Sequence, residues 1–295
     1  MKKTLVSIVA LSLVLICLLA SCGGQESSTD MSGFTKLSEL EGLRIAAQNG
    51  TFHAEALSQI KDVKSSTYPE FADLLMALKS GAIDGYIAED PTARTECAKD
   101  PELGYIPLKN NDTGFTATAK QTGIAIATKK GSDLIKKINA VLAEIPDETK
   151  RTLMSQMADL CAGKEVKELA LKSEAPASTN GTLKIAMECA YQPYNWTDLG
   201  TPTLGAVPMY GDGGKVKNNQ YANGYDVQIA QYVANKLGMK LEIYDMKWDS
   251  LIPAVQLGTV DAIVAGMSPT PEREKEVDFS DLYYSSDLVI IYKKK

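Results

Sequence analysis

The chain has 295 residues, of which 44% are hydrophobic and 23% charged, with 22 Gly and 12 Pro. Those are the proportions of an ordinary folded protein, and they exclude collagen, low-complexity and acidic-tail sequences. A formal net charge of −6 lacks the basic footprint expected of a nucleic-acid binder. The length allows one large domain or two smaller ones.

Taken in chain order, the first segment reads as an export signal. Lys2 and Lys3 precede an uncharged apolar run from Leu5 to Ala20. The run is close to the lower limit for a spanning helix, so a membrane anchor is the competing reading. Leu19-Ala20-Ser21-Cys22 resembles a bacterial lipobox, which implies cleavage after residue 21 and lipid on Cys22. Loss of that segment removes two lysines and no acid, which moves the formal charge from −6 to −8. Residues 22–33 are small, polar and Ser-rich, as a tether would be. Of the five cysteines, Cys97, Cys161 and Cys189 then remain, with one disulfide among them left open. No two have metal-finger spacing and the chain has a single His, so neither a metal nor a cofactor is expected.

Two halves then follow one plan. Leu43-Arg44-Ile45-Ala46 echoes Leu183-Lys184-Ile185-Ala186, and the stretch 81–88 echoes 258–265. Short apolar runs bounded by polar residues predict buried strands. Pro69 opens a predicted helix with Phe71, Leu74, Leu75 and Leu78 as its stripe and Gly81 as its stop. Gly123 to Ala127 reads as a strand. Ser132 reads as the N-cap of a helix that buries Leu134, Ile135, Ile138, Val141 and Leu142. Residues 166–180 read as a linker. Thr197 to Asn223, rich in Gly, Pro and Asn, reads as a long surface loop, and Tyr225 to Leu237 as a helix stopped by Gly238. Strands alternating with helices imply two α/β lobes with mostly parallel sheets flanked by helices.

In such sheets ligands bind beyond the carboxyl ends of the strands. The residues there are Gln48 to His53, Glu89, then Glu188, Tyr191 and Trp196, and Gly266 to Arg273. Thr270 and Pro271 suit the N-cap and first position of a helix, whose end favours an anion that Arg273 would grip with two parallel bonds. Gly50-Thr51 suits a tight turn with free backbone N–H groups, and Glu89 suits an ammonium. Each also has a plain structural explanation. His53 stands without a Ser/His/Asp pattern and reads as structural.

At these residues the chain resembles the extracellular solute-binding proteins of polar amino-acid ABC importers, family 3. The resemblance rests on Glu188-Cys189-Ala190-Tyr191-Gln192-Pro193-Tyr194-Asn195-Trp196, Gly224-Tyr225-Asp226-Val227, 261–273 and 278–284 in one half. In the other half it rests on Gln48-Asn49-Gly50-Thr51 and 81–86. It implies a two-lobe, periplasmic-binding-protein-like type II fold closing on one free amino acid. It further implies that Arg273, Ser268 and the Gly50-Thr51-Phe52 turn hold the α-carboxylate. Glu89 and the Gly266 carbonyl would hold the α-ammonium, and Tyr191 and Trp248 would cover the side chain. Glu188 would either meet a cationic side chain, as in lysine or arginine, or orient pocket groups. The implied partners are importer permease subunits and, through Cys22, the outer face of the membrane, with the protein a monomer. Two departures stand open. An exported enzyme of dehydratase type shares the fold, and a sensory or degenerate copy would keep the sequence without feeding transport.

The order of the halves departs from the family, in which the Tyr-Pro-Tyr-Asn-Trp half comes first. The expected units are lobe B at 34–118, a return segment to lobe A at 119–165, the linker at 166–180, and the main part of lobe A at 181–295 ending in a hinge strand. That is the pattern of a circular permutation, or of a fragment from a tandem fusion.

Overall fold

The computed structural model describes residues 29–175 and 179–295. The signal segment 1–21, Cys22 and the tether as far as residue 28 lie outside them. The tether was expected to reach Gly33, but Met31 is buried in a core it shares with Phe52, Ile87 and Tyr292. A thioether with apolar neighbours within reach gains more by burial than a polar spacer does.

The elements of the first half are β1 (Ile45–Gln48), α1 (Phe52–Ala56), β2 (Ser66–Tyr68), α2 (Phe71–Lys79), β3 (Gly85–Glu89), α3 (Asp90–Lys99) and β4 (Leu103–Pro107). Next come α4 (Ala119–Thr122), β5 (Gly123–Ile124), β6 (Ala127–Lys129), α5 (Leu134–Leu142) and α6 (Asp147–Cys161). After the linker region follow β7 (Thr182–Met187), β8 (Ala190–Tyr191), β9 (Asn195–Leu199), β10 (Val207–Gly211), β11 (Lys215–Asn223), α7 (Tyr225–Lys236) and β12 (Lys240–Asp245). The chain closes with α8 (Leu251–Leu257), β13 (Ala262–Ile263), α9 (Arg273–Glu276), β14 (Val277–Phe279), β15 (Tyr284–Ser285) and β16 (Leu288–Lys293).

These strands form two main sheets, one per lobe. The first has the order β2-β1-β3-β16-β4 and the second β14-β6-β13-β7-β12-β10-β11-β9-β8. Strands β1, β2 and β3 run parallel, as do β7, β12 and β13. The last strand of the chain lies inside the first sheet, antiparallel to both β3 and β4. Residues 288–293, the expected hinge strand at the end of the main part of lobe A, thus lie in the sheet of lobe B. Its alternation explains the placement. Val289 and Ile291 face one core while Leu288, Ile290 and Tyr292 face the other, so a strand apolar on both sides fits only where both faces are covered. Between the lobes, β5 and β15 pair antiparallel as a short two-stranded crossing, with Tyr284 opposite Ile124. The expected strand at 123–127 is therefore split, β5 serving the crossing and β6 the sheet of lobe A.

Residues 197–223 are another correction. They form β9 and the β10–β11 hairpin, with Val207 opposite Ala222 and Asn223 opposite Trp196. Their polar composition suits a ribbon whose side chains are largely exposed, with only Met209, Tyr210, Ala222 and Asn223 among those of β10 and β11 buried. The described part of 166–180 packs on lobe A. Leu171 is buried, and the Ala170 N–H donates to Gln156 Oε1 at 2.7 Å.

Local punctuation follows the residues. On α2 the buried stripe is Phe71, Leu74, Ala77 and Leu78, with Leu75 half-buried beside it. The helix starts one residue after Glu70 rather than at Pro69. Helix α5 is capped at Asp133, although Ser132 Oγ still accepts from the Leu134 N–H at 3.3 Å. Regular helix α9 begins at Arg273, two residues beyond Pro271, while Thr270 Oγ1 accepts from the Arg273 N–H at 3.4 Å. Gly258 sits at φ 74°, the left-handed conformation that ends α8.

Candidate functional site

Every element that faces the cleft does so at the carboxyl end of a strand. Strand β1 leads into the Gly50–Thr51 turn and α1, β3 ends on Glu89, β7 leads to Glu188, β12 to Trp248, and β13 to Gly266 and Ser268. Parallel neighbours end on the same side of a sheet, so loops far apart in sequence converge. They enclose a small cavity of ≈ 20 Å³, room for about one water molecule with the lobes as closed as they are here. Its lining includes Thr51, Phe52, Glu89, Tyr191, Trp248, Gly266, Ser268 and Arg273. Gln48 and His53 line it too.

Arg273 is 7% exposed. Its Nη1 donates to the Ser268 carbonyl at 2.9 Å and its Nη2 to the Gly50 carbonyl at 2.6 Å, so it bridges the lobes. Its guanidinium carbon lies 5.1 Å from the centre of the Trp248 ring. Burial lowers its pKa to about 10, which leaves it cationic at neutral pH. Both oxygens it meets are uncharged, a poor return for a desolvated cation. The Thr51 hydroxyl donates to the Gln48 carbonyl at 2.7 Å and accepts from the Ala54 N–H at 3.4 Å, which fixes the turn at the start of α1. Gly50 has φ 65°, and an added Cβ would lie 4.0 Å from Trp248 Nε1, so conformation rather than space selects glycine.

At the opposite polarity stands Glu89, 5% exposed. Its Oε1 lies 2.9 Å from His53 Nε2, and its Oε2 is buried without a hydrogen-bond partner. Tyr191 stacks on Tyr194 at 4.9 Å and meets Phe71, tilted by 44° and 4.3 Å away, across the cleft. Its hydroxyl is likewise buried and unpartnered.

Glu188 lies outside the lining of this cavity. Its carboxyl accepts from Gln48 Nε2 at 3.3 and 3.4 Å and from the Phe71 N–H at 3.2 Å, both in the other lobe. Burial first, then the adjacent Glu70 carboxyl, push its pKa up to about 8, against the two donors. Gln48 stands between Glu188 and the cavity, touching both. The sequence reading left Gln48 and His53 out of the site. Their position just beyond β1 was the available signal, but nothing in the residues shows that His53 meets Glu89.

Asp226, the acid of Gly224-Tyr225-Asp226-Val227, is a framework residue. It is fully buried and accepts from Tyr283 Oη at 2.6 Å and Asn195 Nδ2 at 2.8 Å, joining α7 to two neighbouring segments of lobe A. Among the described residues no group of His, Cys, Asp and Glu could hold a metal ion, and no helix is long and apolar enough to cross a membrane. Cys97, Cys161 and Cys189 are free thiols.

Two α/β lobes joined by a crossing ribbon, with polar groups of both turned into one cleft, define the two-lobe, type II periplasmic-binding-protein-like fold. Residues 211–295 match the model of the bacterial extracellular solute-binding proteins, family 3. Over 71 residues it is 48% identical to the arginine-binding extracellular protein ArtP of Bacillus subtilis, covering 24% of this chain and 28% of ArtP. Over 74 residues it is 39% identical to the glutamine-binding protein GlnH of the same organism, covering 24% of this chain and 27% of GlnH. A solved substrate-binding protein of an amino acid ABC transporter is 41% identical, with 35% of this chain and 39% of that chain covered and a TM-score of 0.28. The chain spans less than half the length of the curated relatives it matches.

Proposed function

We propose that the chain is a non-catalytic, lipid-anchored binding protein that captures a polar α-amino acid between its lobes and delivers it to an ABC importer permease. One observation carries this reading. The cavity holds a buried cation at Arg273, bonded to neutral oxygens, and a buried acid at Glu89 with one oxygen unpartnered. A zwitterion satisfies both, its carboxylate on Arg273 with Ser268 and the Gly50-Thr51-Phe52 turn, its ammonium on Glu89 and the Gly266 carbonyl. Tyr191 and Trp248 wall the side chain. A neighbouring groove that shares Thr51, Trp248 and Arg273 with the cavity is lined by Glu55, Asp249, Glu272 and Glu276, a field that attracts cationic ligands such as arginine or lysine. Relatives named as arginine-, histidine-, cystine- and glutamine-binding proteins are consistent with this class.

The halves stand in exchanged order on this reading, a circular permutation. Strand β16 inserts between β3 and β4, and Met31 and Tyr292 share one core. The lipid anchor at Cys22 would hold the protein outside the cell. A thermal-shift screen of the twenty L-amino acids tests the proposal, since a ligand that binds only the folded state raises the melting temperature. Stabilisation by at least one polar amino acid is expected, and no shift with any of them would overturn the reading.

A further inference from the structure

The single histidine of the chain is wired to the cavity acid. His53 is the second residue of α1, and Glu89 is the last of β3. Strands β1 and β3 pair in parallel with Ile45 opposite Gly85. That register brings the segment after β1 beside the end of β3, and His53 Nε2 comes to 2.9 Å from Glu89 Oε1. Both side chains are buried, 10% and 6% exposed. A carboxylate only accepts, so the shared hydrogen is carried by Nε2. This contact consumes one oxygen of the cavity-lining Glu89 and leaves Oε2 buried without a partner. Glu89 projects from a strand end with rotatable side-chain bonds, and nothing else hydrogen-bonds its carboxyl among the described residues.

We propose that His53 is a positioning residue: it clamps Oε1 of Glu89 so that Oε2 is presented to the ammonium of the captured amino acid. The inference rests on the amino-acid reading above and adds a residue to it. A carboxylate held at one oxygen meets an ammonium in a fixed direction, whereas an untethered one gives up part of that gain in ordering itself. The effect should therefore run entirely through Glu89.

Isothermal titration of L-arginine, L-glutamine, L-histidine and L-cystine into the full chain tests this, using wild type, H53L, H53Q, E89Q and the H53L/E89Q double variant. Loss of a hydrogen bond to a charged group predicts that H53L binds about 10- to 100-fold more weakly. H53Q, whose amide can donate to Oε1, should recover to within about threefold. In the E89Q background, H53L should add less than about a twofold loss. If H53L does not fold, H53N, too short to reach Glu89, takes its place in the cycle. Wild-type affinity in H53L, or a full loss that persists beside E89Q, overturns the positioning role, the latter by showing that His53 touches the ligand directly. Absence of wild-type binding to all twenty amino acids removes the amino-acid reading itself, and this inference with it.

Discussion

Arg273→Ala is the sharpest perturbation available. The guanidinium is buried, is bonded at 2.9 and 2.6 Å to carbonyls from opposite lobes, and is backed by Trp248 at 5.1 Å. In the proposed complex it faces a carboxylate inside a closed cleft. Removing one partner of such a desolvated pair costs about 2–5 kcal/mol. At about 1.4 kcal/mol per factor of ten, affinity should fall between about 30-fold and about 4,000-fold, for every amino acid alike. Arg273→Lys keeps the charge but loses the planar fork, so it should fall between Ala and wild type. The free protein loses two bonds from a charged donor to neutral oxygens but also sheds a desolvated cation, a net cost of about 1–3 kcal/mol, so its melting temperature should drop by about 2–12 °C. Titration calorimetry and a melting curve on the same preparation separate the two effects. A folded R273A protein that still binds within about threefold of wild type would refute the carboxylate clamp.

Stability should also depend on pH through Glu188. Its folded pKa is about 8 against an ordinary 4.5, raised by burial and then by Glu70, so between those values the folded chain keeps a proton that the unfolded chain has released. Stability from this group is therefore greatest below about pH 4.5 and declines as pH rises through about 8, by at most about 1.4 kcal/mol per unit. Urea unfolding at several pH values should show that slope, and Glu188→Gln should flatten it; an unchanged slope in the variant assigns the effect elsewhere. Gly224→Ala should destabilise the start of α7, because the new Cβ would lie 2.3 Å from the Tyr194 carbonyl oxygen at φ 126°. Backbone strain alone costs about 1–3 kcal/mol, or about 2–12 °C in melting temperature, and an unaltered melting curve would contradict the close packing described.

Local chemistry was legible wherever a residue acts on its own neighbours. Gly81 and Gly258 stop helices because φ of 76° and 74° suits a residue without Cβ. The stripe of α2 shows in its period, and the apolar runs at Ile45 and Leu183 announce buried strands. The residues beyond those strands could be named as site candidates because parallel sheets gather ligands at one end. The hairpin at 207–223 was illegible, since its Gly and Asn content speaks for turns while its pairing depends on partners in β9 and β12.

What the sequence by itself determined, then, is which segments are strand or helix and which side chains stand at their ends. Only the tertiary structure decided which of those ends meet. It turns Glu188 toward Gln48 and Phe71 rather than into the cavity, sets Arg273 against Gly50 across the cleft, and joins His53 to Glu89. The last strand enters the first sheet for the same reason. Periodicity reports how a segment meets an apolar surface, whereas the partner is chosen by strand register and lobe packing, which join residues remote in the chain.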